Sequence, residues 1–333
     1  MGDIYFEVSS QAFFDNLEFF NNIQRGYTLT GFNLEPRVAY SINSKVKFSA
    51  GAHMLYFSGE ERITRFVPVL AFHTKLTPNL TLNMGTIHSV GNHGLPEQLF
   101  KAEREFTHQP EGGLQFILNT DVFFADTWIN WERFLFQGDT IQEEFTAGFS
   151  SRLFLKKDGI LQVDIPIYAL AVHKGGQINI SSERVSTLAN FGGGINLSNG
   201  IFKDGKIGVE TLFLLGRDLS PNPHHTYKKG WAIFPRLYFQ STSLFLDAGY
   251  WRAKEMILPR GEEIFGSVST VDPIFNTPNR ELITGNIMYT KTIAQGFSLA
   301  AGGQIYFDVR EPLLDYSFSL VATFKESFLV RRK

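Results

Sequence analysis

The sequence predicts an all-β fold: a closed antiparallel transmembrane β-barrel of about 16 strands, with short turns at one end and long loops at the other. Three observations predict it. Almost every segment alternates apolar and polar residues with period two, which indicates strands with one apolar face. Most segments run for about 9–13 residues, longer than typical soluble strands and close to what a tilted strand needs to cross a bilayer. The connections alternate between short and long along the whole chain.

The composition is typical of many strands joined by tight turns. The 333 residues include 33 Phe and 30 Gly, 43% are hydrophobic and 19% are charged. A net charge of −2 gives no reason to expect a nucleic-acid partner. The chain has no Cys, which excludes a disulfide framework and thiolate metal sites. No apolar run approaches the roughly 18 residues of a membrane helix, so a membrane crossing would have to use strands.

The alternation predicts the strands in order. In residues 32–42, for example, Phe32, Leu34 and Val38 share one face, while Asn33 and Glu35 lie on the other. The predicted strands span residues 4–14, 32–42, 46–57, 66–76, 80–88, 112–120, 122–134, 143–155, 160–173, 187–197, 206–216, 231–240, 244–253, 280–291, 297–309 and 315–325. Residues 1–325 therefore form a single barrel domain, and residues 326–333 are predicted to be a short basic C-terminal tail.

The connections separate a membrane barrel from a soluble β-sandwich, which would also show alternation. Short turns lie at 43–45, 77–79, 120–121, 156–159, 198–205, 241–243 and 294–296, and the loops between them are mostly longer. A barrel in a bilayer also places aromatic residues near both strand ends. These are Tyr56, Trp131, Trp231, Tyr250, Phe307 and Tyr316 near the loop end, with Tyr40, Tyr289, Phe297 and Phe324 near the turn end.

On this architecture the chain resembles outer-membrane β-barrels of the sixteen-stranded porin-like class. The resemblance covers nearly the whole length and depends on no specific motif. It implies the outer membrane of a Gram-negative bacterium, with both termini in the periplasm and with the lipid bilayer and lipopolysaccharide as surroundings. It also implies a channel for passive diffusion of small polar solutes or ions, and allows a homo-oligomer or a complex with other outer-membrane proteins.

The strand faces opposite the apolar ones carry charges of both signs. Sixteen strands enclose a channel wider than side chains can fill, which favours a water-filled lumen. The alternative is a self-paired wall that stiffens the barrel. The predicted pore-lining residues are Glu35, Arg37, Lys47, His53, His73, Asp126, Asn130, Glu132, Arg152, Asp164, Arg236 and Asp247.

One loop, between residues 88 and 113, is unusually long and charged. Loops of this length inside a compact domain tend to be functional. Its stretch 95–106 has helical apolar spacing, with Pro96 suited to a first helical turn. It is the third long loop, which in sixteen-stranded porins folds inward and narrows the barrel. The predicted constriction residues are Glu97, Lys101, Glu103, Arg104 and Glu105, facing basic wall residues such as Arg37, Lys47 or Arg152; the alternative is a surface loop.

The sequence gives little indication of catalysis. No Ser/His/Asn set or Asp/His pair stands out, and known barrel enzymes use fewer strands. His224 and His225 are adjacent but lack an evident carboxylate partner, a weak metal signal. We therefore expect no enzyme activity, no metal and no cofactor. The alternative to a channel is an accessory barrel, a subunit of a larger secretion, assembly or uptake complex.

Overall fold

The chain forms a closed barrel of sixteen antiparallel strands. A computed structural model describes residues 2–87, 91–157, 159–201, 204–272 and 274–332. Each strand pairs with its neighbours in the sequence, and β1 pairs with β16 to close the sheet. The strands are β1 (Asp3–Glu18), β2 (Tyr27–Ser41), β3 (Val46–Phe57), β4 (Arg65–Lys75), β5 (Leu80–Ile87), β6 (Glu111–Asn119), β7 (Phe123–Arg133), β8 (Glu143–Lys156), β9 (Gln162–Gly175), β10 (Ser186–Gly200), β11 (Lys206–Asp218), β12 (Lys229–Gln240), β13 (Leu244–Lys254), β14 (Asn279–Ala294), β15 (Phe297–Asp308) and β16 (Leu313–Arg331).

The seam between the first and last strands corrects the predicted tail. Strand β16 continues to Arg331, which lies opposite Ile4 on β1. Residues 326–331 therefore belong to the sheet, because β1 pairs with them, with one register irregularity at Val330. Of the predicted tail 326–333, only Lys333 lies outside the described residues. The paired ends also place both chain ends at the turn end of the barrel, as predicted.

Side chains alternate between the outer surface and the interior, as a period-two pattern requires. Large apolar residues such as Phe66, Leu70, Leu237 and Leu320 are exposed on the outer surface. The interior-facing residues between them are buried, as Val69 and Tyr238 are, or half-buried, as Val67 and Ser319 are. The described aromatic residues near the strand ends include seven that are exposed, as a membrane barrel requires: Trp131, Tyr250, Phe307 and Tyr316 at the loop end, with Tyr40, Tyr289 and Phe324 at the turn end.

Two connections fold against the inner wall. One follows β5 and contains residues 91–110, and the other follows β13 and contains residues 255–272 and 274–278. Leu99 and Phe100 from the first, with Ile264 and Phe265 from the second, have at most 1% exposed surface. They join one buried cluster with wall side chains, among them Trp128, Tyr168, Leu212, Phe234, Trp251 and Tyr306. The sequence predicts a water-filled lumen, but at this level of the barrel the structure has an apolar cluster instead.

The two inward connections also bind each other through their backbones. Lys101 N donates to Arg260 O at 2.9 Å, and Glu262 N donates to Glu97 O at 2.9 Å. A Cβ at Gly261 would lie 2.0 Å from Gln98 O, so only glycine permits this approach. We call residues 95–108 and 255–266 together the inner plug.

The helix predicted over 95–106 is mostly wrong. The α-helix, α1, spans only Arg104–Thr107, and Pro96 begins a single turn in which Phe100 N donates to Pro96 O. The side chains of Leu99 and Phe100 pack against the wall, which stabilises an irregular backbone. Among the described residues, no helix is both long and apolar enough to span a membrane.

Candidate active site

The ends of two neighbouring strands bring a serine and an aspartate together at the loop end of the barrel. Ser186 is the first residue of β10, and Asp218 is the last residue of β11. Leu188 lies opposite Asp218 in the register, so Ser186 is two residues further along the same strand face. Even-numbered residues here face the interior, as buried Asn190 and Leu214 show. Both side chains therefore point into the mouth of the barrel.

His225 completes a hydrogen-bonded chain of three side chains. Its Nδ1 lies 2.9 Å from Asp218 Oδ2, and its Nε2 lies 3.2 Å from Ser186 Oγ. The Asp218 carboxylate has no exposed surface, whereas a quarter of the His225 ring is exposed. If Nδ1 donates to the carboxylate, Nε2 is free to accept from the serine hydroxyl. This is the order of contacts found in Ser-His-Asp triads.

The loop carrying His225 is folded back by the same residues. Asp218 N donates to Lys228 O at 2.9 Å, which closes the loop 219–228. Ser220 N donates to Asp218 Oδ1 at 2.9 Å, so the carboxylate holds the loop with one oxygen and His225 with the other. Thr187 N in turn donates to Ser220 Oγ at 3.0 Å, which ties the loop to β10. These contacts hold the loop that carries His225 against the start of β10, next to Ser186.

Ser186 and His225 line an open cavity of about 480 Å³. Its other lining residues are mainly polar, and three are cationic: Lys174, Arg184 and Arg260. Pro259 and Arg260 belong to the inner plug, so the plug forms part of the cavity wall. The arrangement places a hydroxyl, an imidazole and positive charge around one space.

Arg260 is held by carboxylates of the barrel wall. Its Nε and Nη2 contact the two oxygens of Glu132, each at 3.1 Å, and Nη2 also contacts Glu144 Oε1 at 2.6 Å. Arg104 contacts Glu132 Oε1 at 3.0 Å. Glu132 therefore binds both connections of the inner plug to the wall beside the cavity.

The predicted pore-lining residues all lie on interior strand faces, but many pair with one another. Arg37 lies near Glu7 and Glu35, and Lys47 contacts Glu7. Arg152 contacts Asp164 at 2.8 Å, and Arg236 Nε contacts Glu210 at 2.8 Å. Among the other members, His53 lies beside Glu35, and His73 lies beside Asn83. Asp247 lies near Arg236 and Asn286. The remaining members are Asp126, Asn130 and Glu132. Their role in a pore stays a prediction.

A second cavity, of about 570 Å³, lies nearer the turn end. Arg37, Lys47, His73 and Asp126 are among its lining residues. Its border includes His93, which the sequence did not single out. The His93 ring stacks on Trp128 at 3.7 Å, and its nitrogens contact Asp126 at 2.9 Å and Glu111 at 3.1 Å. A Cβ at Gly148 would collide with Trp128, so glycine makes room for this stack.

The constriction residues have partners other than those expected. Glu97 accepts from Gln304 Nε2 at 2.8 Å, and Lys101 lies 3.3 Å from Glu263. Glu103 contacts Tyr27 and Lys101. Glu105 is half-buried in α1. Arg37, Lys47 and Arg152 each pair with a nearby wall carboxylate. The expected contacts of these bases with the loop stay a prediction.

Burial leaves unusual carboxyl groups inside the inner plug. Burial raises the pKa of Glu262 to about 8, and the neighbouring Glu263 adds to the shift. Burial likewise raises the pKa of Glu97 to about 7, partly offset by the hydrogen bond from Gln304. These groups bind protons near neutral pH, which limits negative charge in the plug.

Two of the three residues of the candidate site lie close together in the sequence. Asp218 and His225 lie in one short segment, and the carboxylate partner thought to be missing for His225 is Asp218. Ser186 comes from another strand, and nothing in the sequence links it to His225. Within the described ranges, no group of three or more His, Cys, Asp or Glu residues could hold a metal ion.

Solved structures similar to this chain show its fold, whereas the matching protein family concerns its chemistry. OmpT of Vibrio cholerae (trimer form) is 10% identical over 98% of this chain and 99% of that chain, with a TM-score of 0.53. OprD from Pseudomonas aeruginosa is 7% identical over 98% and 94%, with a TM-score of 0.55. OccAB3 of Acinetobacter baumannii is 9% identical over 98% and 100%, with a TM-score of 0.52. These likenesses show the fold, a porin-like outer-membrane barrel. No curated protein matches the chain.

The second comparison is with protein families. The family "Lipid A 3'-O-deacylase-type" matches residues 1–333. Its description is that of an enzyme family, so the expectation of a barrel without enzyme activity is wrong. Ser186 and His225 lie far apart in the chain and meet only in the folded structure, so local sequence patterns do not predict their contact. Since the match runs from end to end, the chain belongs to the lipid A 3'-O-deacylase-type family.

Proposed function

We propose that this protein is an outer-membrane esterase that removes an acyl chain from a lipid of the lipid A type. The observation that carries the proposal is the hydrogen-bonded chain from Asp218 through His225 to Ser186. Family membership supports the choice of an ester bond. The proposed location is the outer membrane of a Gram-negative bacterium, where lipopolysaccharide is both surroundings and substrate source.

The reaction follows from the three side chains. Ser186 Oγ attacks the ester carbonyl carbon while His225 Nε2 takes the hydroxyl proton. Asp218 holds the imidazole in the required tautomer and stabilises its positive charge. The carbon–oxygen bond to the lipid then breaks, and the leaving alkoxide takes the proton from His225. Water, deprotonated by His225 Nε2, then attacks the acyl-serine carbonyl carbon. The bond to Ser186 Oγ breaks, Oγ takes the proton from His225, and a fatty acid is released.

The cavity supplies positive charge for this reaction. The tetrahedral intermediate carries a negative oxygen, and cationic groups in a partly enclosed site stabilise such charge. Lys174, Arg184 and Arg260 line the same cavity as the nucleophile. Arg260 and Lys174 also contact Glu144, which holds them in place.

Ser186→Ala tests the proposal. The folded variant in detergent–lipid A mixed micelles should release no fatty acid above background, measured by mass spectrometry of both products. Ser182→Ala is the matched control, because Ser182 is an exposed serine of the loop that precedes β10. Release at the parental rate by Ser186→Ala would remove Ser186 as the nucleophile.

A channel is the second candidate function. The turn-end cavity and its charged wall residues favour it, and the apolar cluster across the interior argues against it. Single-channel recording on purified protein in a planar bilayer decides: steady conductance supports a diffusion pore for small polar solutes. No conductance in the bilayer and no fatty-acid release from lipid A would favour an accessory barrel within a larger complex.

A further inference from the structure

The loops next to the candidate active site form a single rim. We define the rim as residues 134–142 and 176–185. Gly138 N donates to Ile178 O, and Ile180 N donates to Asp139 O, both at 2.8 Å. Gln142 Nε2 donates to Glu183 O at 3.0 Å. Leu135 is buried, at 5% exposure, beside Gly176. These contacts make the two loops one structural unit.

The rim exposes an apolar surface that nothing in the chain covers within the described residues. Phe134 is 68% exposed, Phe136 71%, Ile178 50% and Ile180 70%. The two phenyl rings pack edge to face at 5.2 Å. Four such side chains expose on the order of 400 Å² of apolar surface, the size of the largest apolar patch on an ordinary monomer, which is often functional.

This surface continues the lipid-facing wall of the barrel. The rings of Trp131 and Phe145 lie 5.5 Å apart on the outer face, and Phe145 stacks on His173 at 5.0 Å. Phe134 follows Trp131 by three residues, just beyond the end of β7. Arg133 lies between them, with a side chain that is 52% exposed and 3.9 Å from Glu144. The lipid-facing aromatic row and the apolar side chains of the rim are therefore adjacent, with one exposed charged residue between them.

Other residues of the same rim line the cavity. Gln142, Glu183 and Arg184 border the space that contains Ser186 and His225. The rim thus carries exposed apolar side chains as well as polar side chains beside the nucleophile. A lipid with apolar acyl chains and a polar head fits both sets at once.

We propose that the rim is a docking surface for acyl chains of the outer leaflet, from which an acylated lipid reaches the Ser186 cavity. The docking surface is a property of the rim itself, while the delivery step rests on the proposed esterase function. In this arrangement Phe134, Phe136, Ile178 and Ile180 contact acyl chains, and the head of the same lipid lies toward Arg184.

The docking surface can be tested by spin labelling at single positions, because the chain has no cysteine and one introduced cysteine is therefore the only labelled residue. Spin labels at Phe136→Cys and Ile180→Cys are compared with labels at Gln137→Cys and Ser182→Cys, two exposed polar positions of the same loops. The barrel is placed in phosphatidylethanolamine–phosphatidylglycerol vesicles. Collision with oxygen, which concentrates in the bilayer, is measured against collision with a water-soluble nickel chelate.

The docking surface predicts a several-fold higher oxygen-to-nickel ratio at residues 136 and 180 than at residues 137 and 182. Equal, water-like ratios at all four positions would overturn it. So would exclusion of both reagents at 136 and 180, which indicates a protein partner.

A second measurement tests delivery. Phe134→Ser/Phe136→Ser should lower hydrolysis of lipid A embedded in vesicles about tenfold through a higher apparent KM, because two apolar contacts are lost. Gln137→Ser is the control. An unchanged KM would overturn delivery. A failure of the proposed esterase mechanism would be distinguishable from a failure of delivery, because hydrolysis would then persist in Ser186→Ala.

Discussion

Asp218→Asn probes the candidate active site with the smallest change of shape. Asp218 Oδ1 accepts from Ser220 N at 2.9 Å, and only an oxygen can keep that contact. The asparagine therefore turns its NH₂ group toward His225 Nδ1, across the 2.9 Å now spanned by the carboxylate. An NH₂ group donates, so Nδ1 must accept and the imidazole proton moves to Nε2. Nε2 then cannot take the proton of Ser186.

The size of the effect follows from this change of tautomer. Where the same substitution reverses the tautomer in a Ser-His-Asp triad, kcat falls by about 10⁴. His225 is a quarter exposed, so water can assist its reorientation, and we expect a loss of about 10³–10⁴. This equals roughly 4–5 kcal/mol of transition-state stabilisation.

The assay is fatty-acid release from lipid A in mixed micelles, with kcat and KM determined separately. KM should change little, because Asp218 has no surface exposed to substrate. Heat-dependent mobility in SDS gels, together with circular dichroism, verifies that the variant folds. A folded Asp218→Asn protein within threefold of the parental kcat would refute the assigned role of Asp218 and His225.

Three further predictions concern the barrel and its plug. Ile165→Arg, opposite Leu153 on the outer face, should destabilise the barrel by about 2–4 kcal/mol near the bilayer midplane. A urea titration in lipid vesicles measures this, with exposed Ile160→Arg at the turn end as control; equal midpoints would contradict the facing assignment. The pKa of Glu262 is raised from 4.5 to about 8, so the folded state binds its proton more tightly. Its stabilising effect is complete below pH 4.5 and is lost as the pH rises toward 8, by up to about 1.4 kcal/mol per pH unit. Unfolding midpoints measured from pH 4 to 9 should fall less steeply in Glu262→Gln, and parallel curves would show that this carboxyl group does not titrate in that range. Deleting residues 95–106 removes the side chains of Leu99 and Phe100 from the interior cluster, so planar-bilayer conductance should rise while the barrel remains folded. Deletion of 60–62, in a short surface loop, is the control, and unchanged conductance would place the barrier elsewhere.

The strands were predictable because each has a bilayer on one side, which imposes a strict period of two. Their ends were less so. Strand β1 was predicted to end near residue 14 but continues to Glu18, because Tyr316 on β16 still pairs with it there. The same seam extends β16 to Arg331. Backbone pairing continues beyond the apolar band wherever a neighbouring strand offers partners. The hydropathy of the side chains therefore does not predict where such a strand ends.

The interior was predictable only in outline. The charge and length of 95–106 predict an inward loop, but its partners lie in a second connection, where apolar Ile264 and Phe265 join the same buried cluster. Ser186 and His225 are joined only by the folding of two separate loops. Contacts between loops follow from three-dimensional closure, so no local pattern encodes them.

The two interior cavities share no lining residue. Side chains from both parts of the inner plug belong to the buried cluster of the interior. The plug nevertheless connects them, because the His93 ring at the turn-end cavity packs edge to face with Phe100 of the plug at 6.2 Å, and Arg104 of the plug shares Glu132 with Arg260 at the loop-end cavity. Residues linked by shared contacts do not combine additively in their free energies. A substitution at His93 should therefore also change hydrolysis at the loop end, which makes the turn-end cavity a second place from which that chemistry can be altered.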